Sequence, residues 1–271
     1  MSRADPKGSF SVREFARTAQ GSHRAELDVR AYAEAPLAPH VVEMVDLLAR
    51  LERGAMAYLR SVLVTPTHND ARVTGFLVTW AYERYWIADA LELIVAAHPR
   101  ALTERARVPA LRTFRHALAE RFEPMTESVV ANLIGDDVVA VHTAAGAIDE
   151  WLAQTAYQRL AEVSGHDGFA RTLARLGVVK LRHADFFASE AHRRLSASAR
   201  ARRLALRRLA RLTWPLGADT EPPALVARLL GGVIPASDLA AIDARVATLP
   251  GLTSLNPATR SAARTRKADA R

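Results

Sequence analysis

Two short runs hold the residues with the most capacity for chemistry: Glu83-Arg84-Tyr85-Trp86 and Lys180-Leu181-Arg182-His183. A Glu and a His three residues apart share one face of a helix and can share a metal ion. Helical bundles hold two metals this way, with one Glu from each of two helices and a Glu-x-x-His from each of the others. The first run has its Glu but carries Trp86 where the His belongs, and the second has its His but carries Lys180 where the Glu belongs. Glu52 and Glu150, like Glu83 and His183, stand near the middle of otherwise apolar helical patterns and are expected to point inward. Burying three carboxylates without compensation costs on the order of several kcal/mol apiece, so a metal, a basic partner or protons must balance them.

Helices are needed to position such a set. At 271 residues, 49% apolar and 24% charged, the chain can bury a core as one large helical domain or a domain with an appendage. Aromatics are only 6% and Ala, Leu and Arg dominate, which favours helix. Cysteine is absent, which excludes disulfides, thiolate nucleophiles, zinc–thiolate sites and iron–sulfur clusters. Pro36 and Pro39 open a pattern in which Val42, Val45, Leu48, Leu51, Leu59 and Val62 mark one buried face. Asn69 or Asp70 is the expected N-cap of a second helix, over about 71–97, that is apolar nearly all round and so central. One or two less regular helices are expected within 101–134, interrupted near Pro124. A third long helix is expected over about 137–164, ending at Gly165, and a fourth, capped by Asp167, over about 168–195.

The flanks read differently. Residues 1–36 are expected to be a flexible arm, 37–195 the bundle, 196–255 a basic helix with a small helical extension, and 256–271 a disordered basic tail. From His192 to Arg211 the chain carries eight arginines and no acid, while Leu195, Leu206, Leu209 and Leu212 can line one side. Such a basic amphipathic helix over 193–211 suits nucleic acid or an anionic membrane surface. The net charge of +8 is also what an Arg- and Ala-rich composition gives without any ligand, since only Lys7, Lys180 and Lys267 are lysines. No secretory signal and no transmembrane segment is legible, so the expected location is cytoplasmic. Gly-x-Ser-x-Gly, phosphate-loop and Gly-x-Gly-x-x-Gly motifs are missing, and Gly231-Gly232 reads as a turn.

Trp80-Ala81-Tyr82-Glu83, the Asp149-Glu150 pair with Tyr157 seven residues after the Glu, and Arg182-His183-Ala184-Asp185-Phe186-Phe187 lie in this order on the predicted long helices. Over roughly residues 40–195 the chain thereby resembles the ferritin-like superfamily, in its acyl-carrier-protein desaturase and ribonucleotide reductase small-subunit branch. The resemblance implies an all-α, ferritin-like four-helix bundle with additional helices and a C-terminal helical extension. It also implies a metal site of Glu52 (with Glu43 as the alternative), Glu83, Glu150 and His183, in which Lys180 and Trp86 replace ligands. Three carboxylates and one ammonium suit no metal or a single ion, iron or manganese most readily, held by Glu83, Glu150 and His183. Tyr82, Tyr85 and Tyr157 are expected to pack and to bond carboxylates. Three functions stay open: a structural or binding bundle without di-iron oxygen chemistry, a metal-dependent oxidase or hydroxylase with a mononuclear or altered site, and an Arg-mediated binder. Whether the chain is an enzyme, and whether it forms a homo-oligomer, is open on the sequence.

Overall fold

Local signals in the chain set where the helices start and stop. The structure, a computed structural model, describes residues 10–98 and 135–269. These residues form eleven α-helices and no strand: α1 (Val12–Arg17), α2 (Ala31–Glu34), α3 (Pro39–Arg53), α4 (Ala55–Leu63), α5 (Ala71–Ala96), α6 (Asp137–Ser164), α7 (Asp167–Ala197), α8 (Ala199–Leu209), α9 (Pro223–Arg228), α10 (Ala236–Ala247) and α11 (Pro257–Asp269). The helices expected within 101–134 lie outside the described residues. Pro39 begins α3, its fixed φ suiting a first helical position. The single helix expected from Pro39 through Val62 is broken at Gly54, a poor interior residue, and continues as α4. Asp70 caps α5 by accepting from Val73 N at 2.9 Å. Gly165, at φ +63°, closes α6 in the left-handed conformation that glycine adopts at little cost.

Two starts differ from expectation. The cap of α7 is His166, whose Nδ1 accepts from Phe169 N at 3.1 Å, and Asp167 is instead the acid of the first turn. The fourth helix runs on to Ala197, where Ser198 takes an extended conformation and caps α8 through its Oγ to Ala201 N at 3.0 Å. The basic run is therefore divided between two helices.

Packing follows from the 3–4 spacing of apolar residues. α3 lies against α5 and α6 lies against α7. Gly146 lets the second pair approach closely, because a Cβ there would meet the Phe187 ring at 2.5 Å. Phe76, Phe186 and Phe187 join the pairs, Phe76 and Phe186 being stacked at 3.7 Å.

Residues 10–36 and 257–269 also pack, where the sequence suggested a flexible arm and a disordered tail. Phe15 and Tyr32 are buried, and Arg182 donates to Thr18 O, Thr18 Oγ1 and Phe15 O, tying residues 15–18 to α7. At the other end Ala258, Ser261 and Ala262 of α11 are buried, and Asp243 caps it by accepting from Ala258 N and Thr259 N. Small residues at these positions supply a narrow buried face that composition alone hides. The extension is bound to the bundle by Leu216 N, which donates to Asp149 Oδ1 at 2.8 Å. Gly231 and Gly232 fall in a π-helical turn, Leu229–Val233, after α9. No single helix among the described residues is long and apolar enough to cross a membrane.

Gly146→Ala is expected to lower unfolding stability by about 1–3 kcal/mol, the usual cost of overpacking a tight core. Urea denaturation checks this, and an unchanged midpoint would show that α6 and α7 have room to spare.

Candidate functional site

The long helices repeat one construction. Along α3, Val41, Val45 and Leu48 step by four and three residues, and the next place in that row is Glu52. Along α5, Val73, Leu77 and Trp80 are followed by Arg84, and along α6, Val139, Thr143 and Gly146 are followed by Glu150. Along α7, Phe169, Leu173 and Leu176 are followed by Lys180 and then His183. Each row faces the core, so its polar member is carried inward with the apolar ones. Glu52, Glu83, Arg84, Asp149, Glu150, Lys180 and His183 are all buried.

Their charged ends meet. Lys180 Nζ lies 2.9 Å from Glu52 Oε1 and 2.8 Å from Glu150 Oε2. These are ion-pair distances without hydrogen-bond alignment: Nζ, Glu150 Oε2 and His183 Nδ1 all lack an aligned partner. Glu52 is also paired with Arg84 Nε and accepts from Tyr157 Oη at 2.8 Å. Arg84 spans further, donating to Asp149 Oδ2 at 3.0 Å and to Leu51 O at 3.1 Å. Glu150 Oε1 accepts from Trp80 Nε1 at 2.7 Å. His183 sits between two carboxylates, with Nε2 2.7 Å from Glu83 Oε2 and Nδ1 3.6 Å from Glu150 Oε2. Glu83 Oε1 accepts from Gln20 N at 2.6 Å, and Arg182 stands 3.7 Å from it at the rim.

Burial and neighbouring charge oppose each other here. Burial pushes the Glu52 carboxyl up, but Arg84 and Lys180 pull it down by more, and it ends below the usual range. Glu150 follows the same pattern: burial raises it, and Lys180 and His183 hold it well below the usual range. For Asp149 burial wins over Arg84, and its pKa is raised. Burial and the Glu52 charge together push the Tyr157 hydroxyl well up, which keeps it a donor.

The carboxylates of the set face cations and not an open position. The ammonium of Lys180 stands between the carboxylates that would grip an ion, and among the described residues no three His, Asp or Glu are arranged to hold one. Trp86 stays at a half-buried place on α5, ring to ring with exposed Tyr82 and Tyr85, and is not part of the cluster. Glu43 is taken up by Arg228 at 2.7 Å, away from the centre. Of the three tyrosines expected to bond carboxylates, only Tyr157 does so; Tyr85 instead lies under the Arg53 guanidinium. Arg84 and Asp149 were missed by reading the sequence for ligands. The signal for Arg84 was its place in the Val73, Leu77, Trp80 row, continued by Ile87 and Leu91. A cavity beside Arg84 and Asp149, under Leu229 and Ile234, measures about 20 Å³, room for about one water.

The described residues thus form an all-α fold with a cluster of opposed charges at the meeting of the long helices. Comparison with protein-family models, with curated proteins and with solved structures gave no match.

Two outcomes are expected. Lys180→Met leaves Glu52 and Glu150 facing one another and should cost about 3–5 kcal/mol, as removing one partner of a buried pair does; a loss under about 1 kcal/mol in a denaturant titration would mean the pair is hydrated. Glu52 and Glu150 ionise more readily folded than unfolded, so their contribution is complete above their ordinary value of 4.5 and is lost as the pH falls below it. Asp149, with its raised pKa, works in the opposite sense and blunts that loss. The urea midpoint should therefore fall from about pH 5 to pH 3, and with a shallower slope in Glu150→Gln.

Proposed function

We propose that this chain is a ferritin-like four-helix bundle in which a lysine ammonium has replaced the metals, and that it works as a structural or binding protein without di-iron oxygen chemistry. The observation that carries this reading is Lys180 Nζ at 2.9 and 2.8 Å from Glu52 and Glu150. A divalent ion at that point would have to expel a buried ammonium and leave it without a counter-charge. The order of Glu52, Glu83, Glu150 and His183 along successive long helices supports the kinship. The tight ionic contacts support the loss of its chemistry, because every carboxylate of the set already has a cationic or N–H partner. A mononuclear oxidase would need Glu83, Glu150 and His183 to turn from one another toward a shared ion.

Purified protein exposed to ferrous iron or manganese and then desalted should retain substoichiometric metal. The same should hold in His183→Ala. Recovery of an iron pair per chain would overturn the reading, and a single iron lost in His183→Ala would replace it with the mononuclear one.

A further inference from the structure

The eight arginines between 193 and 211 sort into two groups once their partners are known. Arg193 and Arg194 are paired with Glu190, Arg194 also with Asp70, and Arg200 lies 3.5 Å from Asp137. Arg202 donates to the carbonyls of Leu195 and Ser196, and Arg208 is half-buried beside His142. The rest, Arg203 and Arg207 on α8 and Arg211 in the turn after it, are exposed at four-residue spacing and have no carboxylate or carbonyl partner among the described residues. Like charges spaced by four residues along a helix, as Arg203 and Arg207 are, repel one another.

Tertiary structure ties a second basic helix to the end of α8. Arg260 of α11 donates to Leu209 O at 3.1 Å, and Trp214 N donates to Ser261 Oγ at 3.0 Å, which fixes α11 against the end of α8. Arg264, one turn beyond Arg260, is exposed and close enough that its charge adds to burial in lowering the Arg260 pKa. Four exposed guanidinium groups, three on α8 and the turn after it and one on the helix tied to its end, therefore lack a carboxylate partner among the described residues.

We infer that the exposed arginine face of α8, continued by Arg264 of α11, is a docking surface for the phosphate backbone of a nucleic-acid duplex. The chemistry of the face selects that partner. Its apolar side is spent inward, with Ala201, Ala205 and Leu209 buried. No large hydrophobic residue is exposed in 199–269 among the described residues, so the face offers charge and not an apolar anchor. Exposed aromatic rings, on which single-stranded bases stack, are likewise lacking on α8 and α11. What is left is a fork of fixed positive charge, and guanidinium groups match phosphate oxygens two at a time. Binding of this kind reads charge and not base sequence.

Fluorescence anisotropy with a labelled DNA duplex tests this, using the full chain. About four phosphate contacts give a slope near −3.6 in log K against log salt, a roughly 100-fold weakening from about 50 to 200 mM. Arg203→Gln/Arg207→Gln/Arg211→Gln should lose most of the affinity at low salt while keeping the wild-type melting curve. Arg60→Gln/Arg171→Gln, exposed arginines on α4 and α7, should bind as wild type does. The inference fails if wild type shows no duplex binding at low salt. It also fails if the control pair loses as much as the triple variant, or if phosphatidylserine vesicles are bound and the duplex is not.

Discussion

A lysine ammonium held between two buried glutamates is the constraint around which the other helices are arranged. Lys180 on α7 reaches Glu52 on α3 and Glu150 on α6, so one side chain fixes three helices to a common level. His183, one turn further along α7, brings in Glu83 of α5. Sliding any of these helices by one turn would leave a charge in the core without its opposite, which costs far more than an imperfect apolar contact. An apolar core tolerates repacking, but this one has a register.

The two buried cations divide the work by shape. Arg84 presents a planar fork, and its separate N–H groups reach Glu52, Asp149 and the Leu51 carbonyl. Lys180 ends in a compact point charge that sits between two oxygens without pointing squarely at either. A chain that uses arginine at nearly every basic position keeps one of its three lysines at this fully buried place. The surrounding dipoles are oriented to match: Trp80 and Tyr157 turn their N–H and O–H toward Glu150 and Glu52.

Two peripheral segments complete the enclosure. On the α5–α7 side the N-terminal arm contributes Gln20 N to Glu83 and places Phe15 against the His183 ring. On the other side the extension contributes Leu216 N to Asp149 and lays Leu229 and Leu230 over Arg84. Both shield the ions from bulk solvent, which strengthens the attractions among them.

The sequence by itself determined that the described chain is helical, where its long helices lie, and which polar residues interrupt their apolar rows. Periodicity carries that information, because a residue in a buried row goes inward whatever its chemistry. Lys180 and His183 were legible in this way, and Arg84 could have been. The same signal was too weak for α11, whose buried face is made of Ala258, Ser261 and Ala262, and for the arm, whose Phe15 and Tyr32 are isolated anchors. Only the tertiary structure decided which charges meet. That Arg84 and not Trp86 enters the cluster, that Asp149 joins it, and that α11 is tied to the end of α8 all depend on the rotation and level of one helix against another. Those are set by packing between segments far apart in the chain, which no local spacing records.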